Sequence, residues 1–162
     1  MKYVLLAGTL FHFYVSLDAI SYIESRNIPA AFNRKTLATG LYQITPICLK
    51  HYNQIHNTKL MLRDLIDPFV SEAVARWYIE WLYKSLPPAK NPSSALSQIL
   101  IAYNWGIGNT LKWLEAGADK TKLPSETREY LKSYDRWILN GQSGATTETK
   151  KVSDFLPGSK RD

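Results

Sequence analysis

Apolar residues along this chain recur at three- and four-residue intervals, and alternation at every second position is scarce. That pattern predicts helices joined by short polar turns, hence an all-helical fold. Ser16 is placed to cap a helix in which Ile20 and Ile23 share a face and Asp18 sits at the positive amino end; the helix stops before Asn27 and Pro29. Thr45-Pro46 and Asp67-Pro68 each put a capping side chain before a proline at the first helical position, so helices are expected from about 46 and 68. The second carries Phe69, Ala73, Trp77, Ile79, Leu82 and Leu86 and stops at Pro87-Pro88. Ser94 is read as opening a helix over Ala95 to Tyr103 that breaks at Gly106 and Gly108, followed by a short helix from Asn109 to Ala116. Ser125 caps a last helix to about Leu139, closed by Asn140-Gly141. No internal repeat is visible.

Two stretches fall outside this pattern. Tyr3 to Leu17 is mostly apolar and follows Lys2, the charge order of a secretory signal core. It is short of the roughly 20 apolar residues a spanning helix needs and is interrupted by Gly8, Thr9 and His12. A cut at Leu17-Asp18-Ala19 would remove the helix behind it, so an uncleaved export or membrane-anchor segment and a first core helix are the readings left open. From Gly141 the chain is rich in Ser, Thr, Lys and Gly and reads as a flexible basic tail, with Phe155-Leu156-Pro157 as a short docking segment. The expected organisation is an apolar segment over 1–15, one folded domain over 16–140 and a tail over 141–162.

At 162 residues the chain can bury one core without metals or disulfides. The net charge of +6 and pI of about 9.4 favour an anionic partner. The cations are scattered rather than arrayed along one helix, which disfavours nucleic acid. Cys48 is the lone cysteine, so no internal disulfide forms and no cysteine cluster holds zinc; it reads as a core residue. His12, His51 and His56 are not at a ligating spacing, so neither a metal nor another cofactor is expected.

The candidate chemistry begins at Glu24, on the last turn of a short apolar helix. Poor solvation there disfavours the charged form and raises the pKa, which suits a general acid. The stretch from Ser25 to Gln54 contains no Asp or Glu. Asp67 is explained as a cap, and Asp64 is the remaining candidate for a second carboxylate, with a surface role favoured. Gly40-Leu41-Tyr42-Gln43 follows the acid by 19 residues and suits a loop returning to it: Gly40 for close backbone approach, Gln43 as an amide donor and acceptor. A plain turn with a solvated glutamine is the alternative. Ala102-Tyr103-Asn104-Trp105-Gly106 ends an apolar helix in a polar, aromatic turn, where Asn104 serves a ligand or a local cap. Ser25 and Thr39 are further candidate hydrogen-bonding groups, and Arg26 and Arg128 either pair with acids or meet charged parts of a substrate.

Taken in order with Glu126-Thr127-Arg128-Glu129-Tyr130, these segments resemble the lytic transglycosylase family of the soluble, lysozyme-like (SLT) type. Its members read Glu-Ser, Gly-Leu-Met-Gln, Ala-Tyr-Asn-x-Gly and Glu-Thr-x-x-Tyr, and the likeness spans about residues 16 to 138. The resemblance implies an all-α, lysozyme-like helical domain with a substrate cleft. It also implies cleavage of the β-1,4 bond between N-acetylmuramic acid and N-acetylglucosamine in peptidoglycan, with a 1,6-anhydro-muramyl product. One Glu, here Glu24, would act as acid and then base, helped by the substrate's own acetamido oxygen.

By the same resemblance Asn104 would hold the acetamido group, Tyr103 would lie near Glu24, and Tyr130 would approach the cleft, while Glu126 is accounted for by the helix dipole. Tyr42 stands where the family usually has Met, which alters the expected sugar subsite. Ser71, Glu72 and Ala75 precede Tyr78 where the family often shows Asn-Ile and Gly, a matter of packing. The implied partner is the glycan strand of peptidoglycan, met by a monomer without nucleic acid, with membrane association only through the first segment. The implied location is the cell envelope or periplasm, or a phage particle. A goose-type lysozyme, which uses water in place of the muramyl hydroxyl, and a non-catalytic wall-binding scaffold remain as alternatives.

Overall fold

A computed structural model describes residues 2–7 and 12–152, with side chains for 2–6 and 13–141. The chain opens with an antiparallel hairpin: Tyr3–Ala7 (β1) pairs with His12–Ser16 (β2), Val4 opposite Val15 and Leu6 opposite Phe13. Val4, Leu6, Phe13 and Val15 face the core, while Tyr3, Leu5 and Tyr14 face outward. This overturns the first-helix reading of that segment. Its period-two burial is masked in the sequence because the outward positions are apolar too. Tyr3 and Tyr14 meet edge-on at 6.1 Å on the outer face, a cross-strand contact that partly accounts for apolar residues there.

Six helices follow. Leu17–Ser25 (α1) starts directly from β2, its Ala19 N–H donating to the Ser16 hydroxyl at 3.2 Å. The Ser16 N–H in turn donates to the Tyr134 hydroxyl at 2.7 Å, fastening the start of α1 to the last helix. Pro46–His56 (α2) and Pro68–Ser85 (α3) begin at the two cap-proline pairs, with Thr45 and Asp67 accepting from the first-turn N–H groups. Pro92–Trp105 (α4) starts earlier than Ser94, because Asn91 accepts from Ser94 N–H at 2.9 Å and Pro92 takes the first helical position. Ile107–Glu115 (α5) begins two residues sooner than expected, immediately after Gly106.

Ser125–Val152 (α6) runs through Asn140-Gly141 instead of ending there. Phe155-Leu156-Pro157 lies outside the described residues. A 3-10 turn over Leu62–Ile66 precedes α3. The fold is thus mostly helical, with the small hairpin as the only sheet among the described residues.

The core is built from Leu17 and Ile20 of α1, Val74, Ile79 and Leu82 of α3, Ile99 and Leu100 of α4, and Tyr134 of α6, with the hairpin's inner face closing one side. Cys48 is buried in it. His51 packs edge-on against Trp77 and Trp81 at 5.1 and 4.8 Å, and His56 lies 5.8 Å from Trp77, so both imidazoles join the aromatic seam between α2 and α3. Among the described residues no helix is long and apolar enough to cross a membrane, and no group of three or more His, Cys, Asp or Glu is placed to hold a metal ion.

Candidate active site

Glu24 occupies the last turn of α1 because that helix is only nine residues long and ends at once: Arg26 adopts a left-handed conformation (φ 55°) and returns its N–H to the carbonyls of Ser21 and Tyr22. The Glu24 side chain is half-buried. Crowding of the carboxyl by protein raises its pKa from an ordinary 4.5 to about 7. The Tyr130 phenol opposes that rise, and the negative charge of Glu126 adds to it. Tyr130 and Glu126 are four residues apart at the start of α6, so one helix face brings both to the acid.

The Tyr130 hydroxyl is buried and makes no hydrogen bond of good geometry, although it lies near enough to Glu24 for each group to shift the other's pKa. The phenol and the carboxyl are thus neighbours with no hydrogen bond formed between them among the described residues. Such a contact tightens readily when a ligand arrives. Tyr103 flanks the same carboxyl: its own pKa is pushed up first by burial and then by the Glu24 charge. Its hydroxyl donates to the Tyr42 carbonyl at 2.8 Å, so that ring is locked from α4 onto the loop before α2.

That loop is a scaffold. The Thr39 hydroxyl donates to the Leu37 carbonyl at 3.0 Å, and its backbone exchanges hydrogen bonds with Ile44. Gly40 has φ +84°, and a Cβ there would lie 2.2 Å from the Leu65 carbonyl oxygen and 2.9 Å from the Ser71 hydroxyl. Its close approach is therefore to the protein's own 3-10 turn, which corrects the expectation of an approach to a sugar. The Tyr42 ring is buried, 2% exposed, so the place read as an altered sugar subsite is occupied by a core side chain. Gln43 is in the left-handed region (φ 46°), and its amide N–H groups donate to Ala31 and Gly40 at 3.2 and 3.1 Å, which excludes both a substrate-donating and a freely solvated amide. Ser25 is buried with its hydroxyl 2.8 Å from the Leu41 carbonyl and 3.0 Å from that of Ser21. It ties the acid's helix to the loop instead of presenting a donor.

Asn104 is different. Its side-chain oxygen accepts from the Thr127 hydroxyl at 2.8 Å, while its amide N–H groups make no hydrogen bond among the described residues. Thr127 is 1% exposed, so the bond that aims Asn104 is shielded from water. The sequence reading passed over Thr127, although it stands inside the Glu-Thr-x-x-Tyr segment. Asp64 accepts from the Met61 N–H at 2.7 Å, stabilising the 3-10 turn, and Asp67 caps α3. Arg128 donates to the carbonyls of Thr121 and Leu123, joining the α5–α6 connection to α6.

The structure therefore converges Glu24, Tyr103 and Tyr130 on one half-buried carboxyl, and uses Ser25, Thr39, Gly40, Tyr42 and Gln43 to hold the loop against α1. A carboxyl with a raised pKa at the end of a short helix, in a mostly helical domain, is a feature of enzymes that cut glycans. The chain belongs to the transglycosylase SLT domain family, whose model matches residues 14–124. The match takes in Glu24, the 39–43 loop and Asn104, and stops just before the α6 residues that complete the site. Membership brings with it lytic transglycosylase activity in general terms and peptidoglycan as the substrate class. No curated protein matches the chain.

Proposed function

We propose that this protein is a peptidoglycan lytic transglycosylase in which Glu24 is the sole general acid and base. With a pKa of about 7, Glu24 keeps a large protonated fraction at neutral pH, and that form can deliver its proton to the oxygen between the muramyl and glucosaminyl rings as that bond breaks. Positive charge then develops at the muramyl anomeric carbon, where the substrate's acetamido oxygen is the available nucleophile. Asn104, with its amide N–H groups free and its oxygen held by Thr127, is suited to grip that acetamido group. In the second step the Glu24 carboxylate accepts the proton of the muramyl C6 hydroxyl, whose oxygen closes onto the anomeric carbon to give the 1,6-anhydro ring as the bond from the acetamido oxygen to that carbon breaks and its electron pair returns to the acetamido group. Proton and electron pair balance without a second carboxylate, in keeping with the structural engagement of Asp64 and Asp67.

The observation that carries this reading is the raised pKa of the Glu24 carboxyl beside Tyr130. The expected place of action is the wall itself, at the cell envelope, in the periplasm or on a virion, with the protein working as a monomer. The test is mass spectrometry of digested sacculi. Muropeptides lighter than the hydrolytic products by two hydrogens and one oxygen support the reading, and Glu24→Gln should abolish their release. Reducing muramic ends would assign hydrolysis by water instead, and unchanged turnover by Glu24→Gln would remove the acid from the mechanism.

A further inference from the structure

Cations are scattered through the chain, but acids are not. The chain has 20 lysines and arginines against 14 acids, and residues 25–63 hold Arg26, Arg34, Lys35, Lys50, Lys59 and Arg63 without one Asp or Glu. Elsewhere the two signs are equal in number, so this one stretch carries the whole net charge of +6. Part of it frames a groove of about 430 Å³ between α2 and the 3-10 turn before α3, with Pro46, Lys50, Met61 and Leu62 in its lining. Lys59 stands between two further lining residues, Thr58 and Leu60, and Arg63 follows Leu62. Ile47 and Lys50 are three residues apart on α2 and share a face of it. Ile47 keeps 83% of its surface exposed and Met61 54%. Lys50 and Lys59 form no ion pair among the described residues, and Arg63, with Asp64 3.9 Å away, leaves 77% of its side chain exposed. The acids next along the chain are engaged by backbone: Asp64 accepts from the Met61 N–H, and Asp67 caps α3.

We propose that the rim of this groove is a docking surface for an anionic lipid bilayer. Lys50, Lys59 and Arg63 attract acidic headgroups, and the exposed side chains of Ile47 and Met61 beside them gain an apolar boundary to enter. The combination selects the occupant. A soluble polyanion satisfies the charges but offers the two aliphatic side chains nothing, and a neutral apolar partner leaves the charges unmatched. Binding of this kind is peripheral and reversible, because a few charges and two apolar side chains fall well short of insertion. On the peptidoglycan reading of Glu24, such docking would hold the acid where wall meets lipid; the surface itself stands whether or not Glu24 cuts glycan.

The experiment is cosedimentation of the full chain with phosphatidylcholine vesicles made with and without phosphatidylglycerol, at low and high salt. Wild type should partition onto the phosphatidylglycerol vesicles alone, and less as salt rises. Lys50→Gln, Lys59→Gln and Arg63→Gln together should weaken that partitioning on the order of one hundredfold, at about fivefold per cation. Ile47→Ser with Met61→Ser should weaken it about tenfold at low and high salt alike, since apolar contact is not screened. Lys112→Gln, Lys120→Gln and Lys122→Gln remove the same charge from α5 and its connection to α6, and should change partitioning less than about threefold. All eight side chains are exposed, so each variant should keep the melting point of the wild type. Absence of binding to phosphatidylglycerol vesicles would overturn the proposal. An equal loss from the α5 triple would mean that net charge alone drives binding, and full binding by the Ile47–Met61 pair would assign the surface to a soluble polyanion; either result also overturns it. No glycan enters this experiment, so failure of the catalytic reading shows elsewhere, as wild-type protein that releases no anhydro products.

Discussion

Burial of an ionisable acid should leave a mark on stability that can be read without any substrate. The folded-state pKa of Glu24 is about 7 against an ordinary 4.5, and at about 1.36 kcal/mol per tenfold difference the ionised form costs the fold about 3 kcal/mol. Because the folded pKa is the higher one, the native state holds the proton more tightly. The stabilising contribution is therefore fully present below about pH 4.5 and is lost as pH rises toward 7. Glu24→Gln keeps the size and a polar tip but carries no charge at any pH. The variant should melt with the wild type at about pH 4 and about 6–12 °C above it at about pH 8, taking about 2–4 °C per kcal/mol for a chain of this size. Paired thermal melts across that range read the difference directly, and the titrations of all other groups largely cancel between the two proteins. A gap that does not change with pH would mean that Glu24 is solvated, one that opens toward acid would mean that the fold favours its charged form, and the catalytic argument would go with either.

Tyr130→Phe should leave thermal stability within about 1 kcal/mol, since the buried hydroxyl has no satisfied bond to lose. Turnover should nonetheless fall, and the alkaline limb of the pH–rate profile should move upward, because the phenol holds the Glu24 pKa down; an unchanged profile would remove Tyr130 from the site. Thr127→Val keeps the shape of a fully buried side chain and deletes the bond that aims Asn104, so kcat/KM should drop roughly tenfold while the melting point changes little. Kinetics indistinguishable from wild type would show that Asn104 is held without it. Gly40→Ala should destabilise the domain by at least about 2 kcal/mol in urea titrations, combining the left-handed strain with the clash against the Leu65 carbonyl; a neutral effect would contradict the loop geometry.

What was legible in advance is what depends on neighbours in the chain. A cap and a following proline act over three or four residues, so Ser16, Thr45-Pro46 and Asp67-Pro68 announced their helices wherever the rest of the molecule went. The position of Glu24 at the end of a short apolar helix was legible for the same reason, and with it the direction of its pKa shift. The hairpin was not, because Leu5 and Tyr14 keep 52% and 60% of their surface exposed while being as apolar as the strands' inner residues, and period two vanishes when both faces look alike. Nor was the end of α6, where Asn140-Gly141 resembles a terminator yet continues as helix.

Everything that joins distant segments had to wait for three dimensions. Gly40 fits against Leu65 rather than against a ligand, and Tyr42 turns into the core and offers the site only its carbonyl. Thr127 aims Asn104 across 23 residues of chain. Residue type states what a side chain is able to donate or accept. Whether that capacity faces a substrate or is already satisfied by the protein's own backbone depends on which surfaces the packing of helices brings within about 3 Å of each other, and no local pattern contains that information.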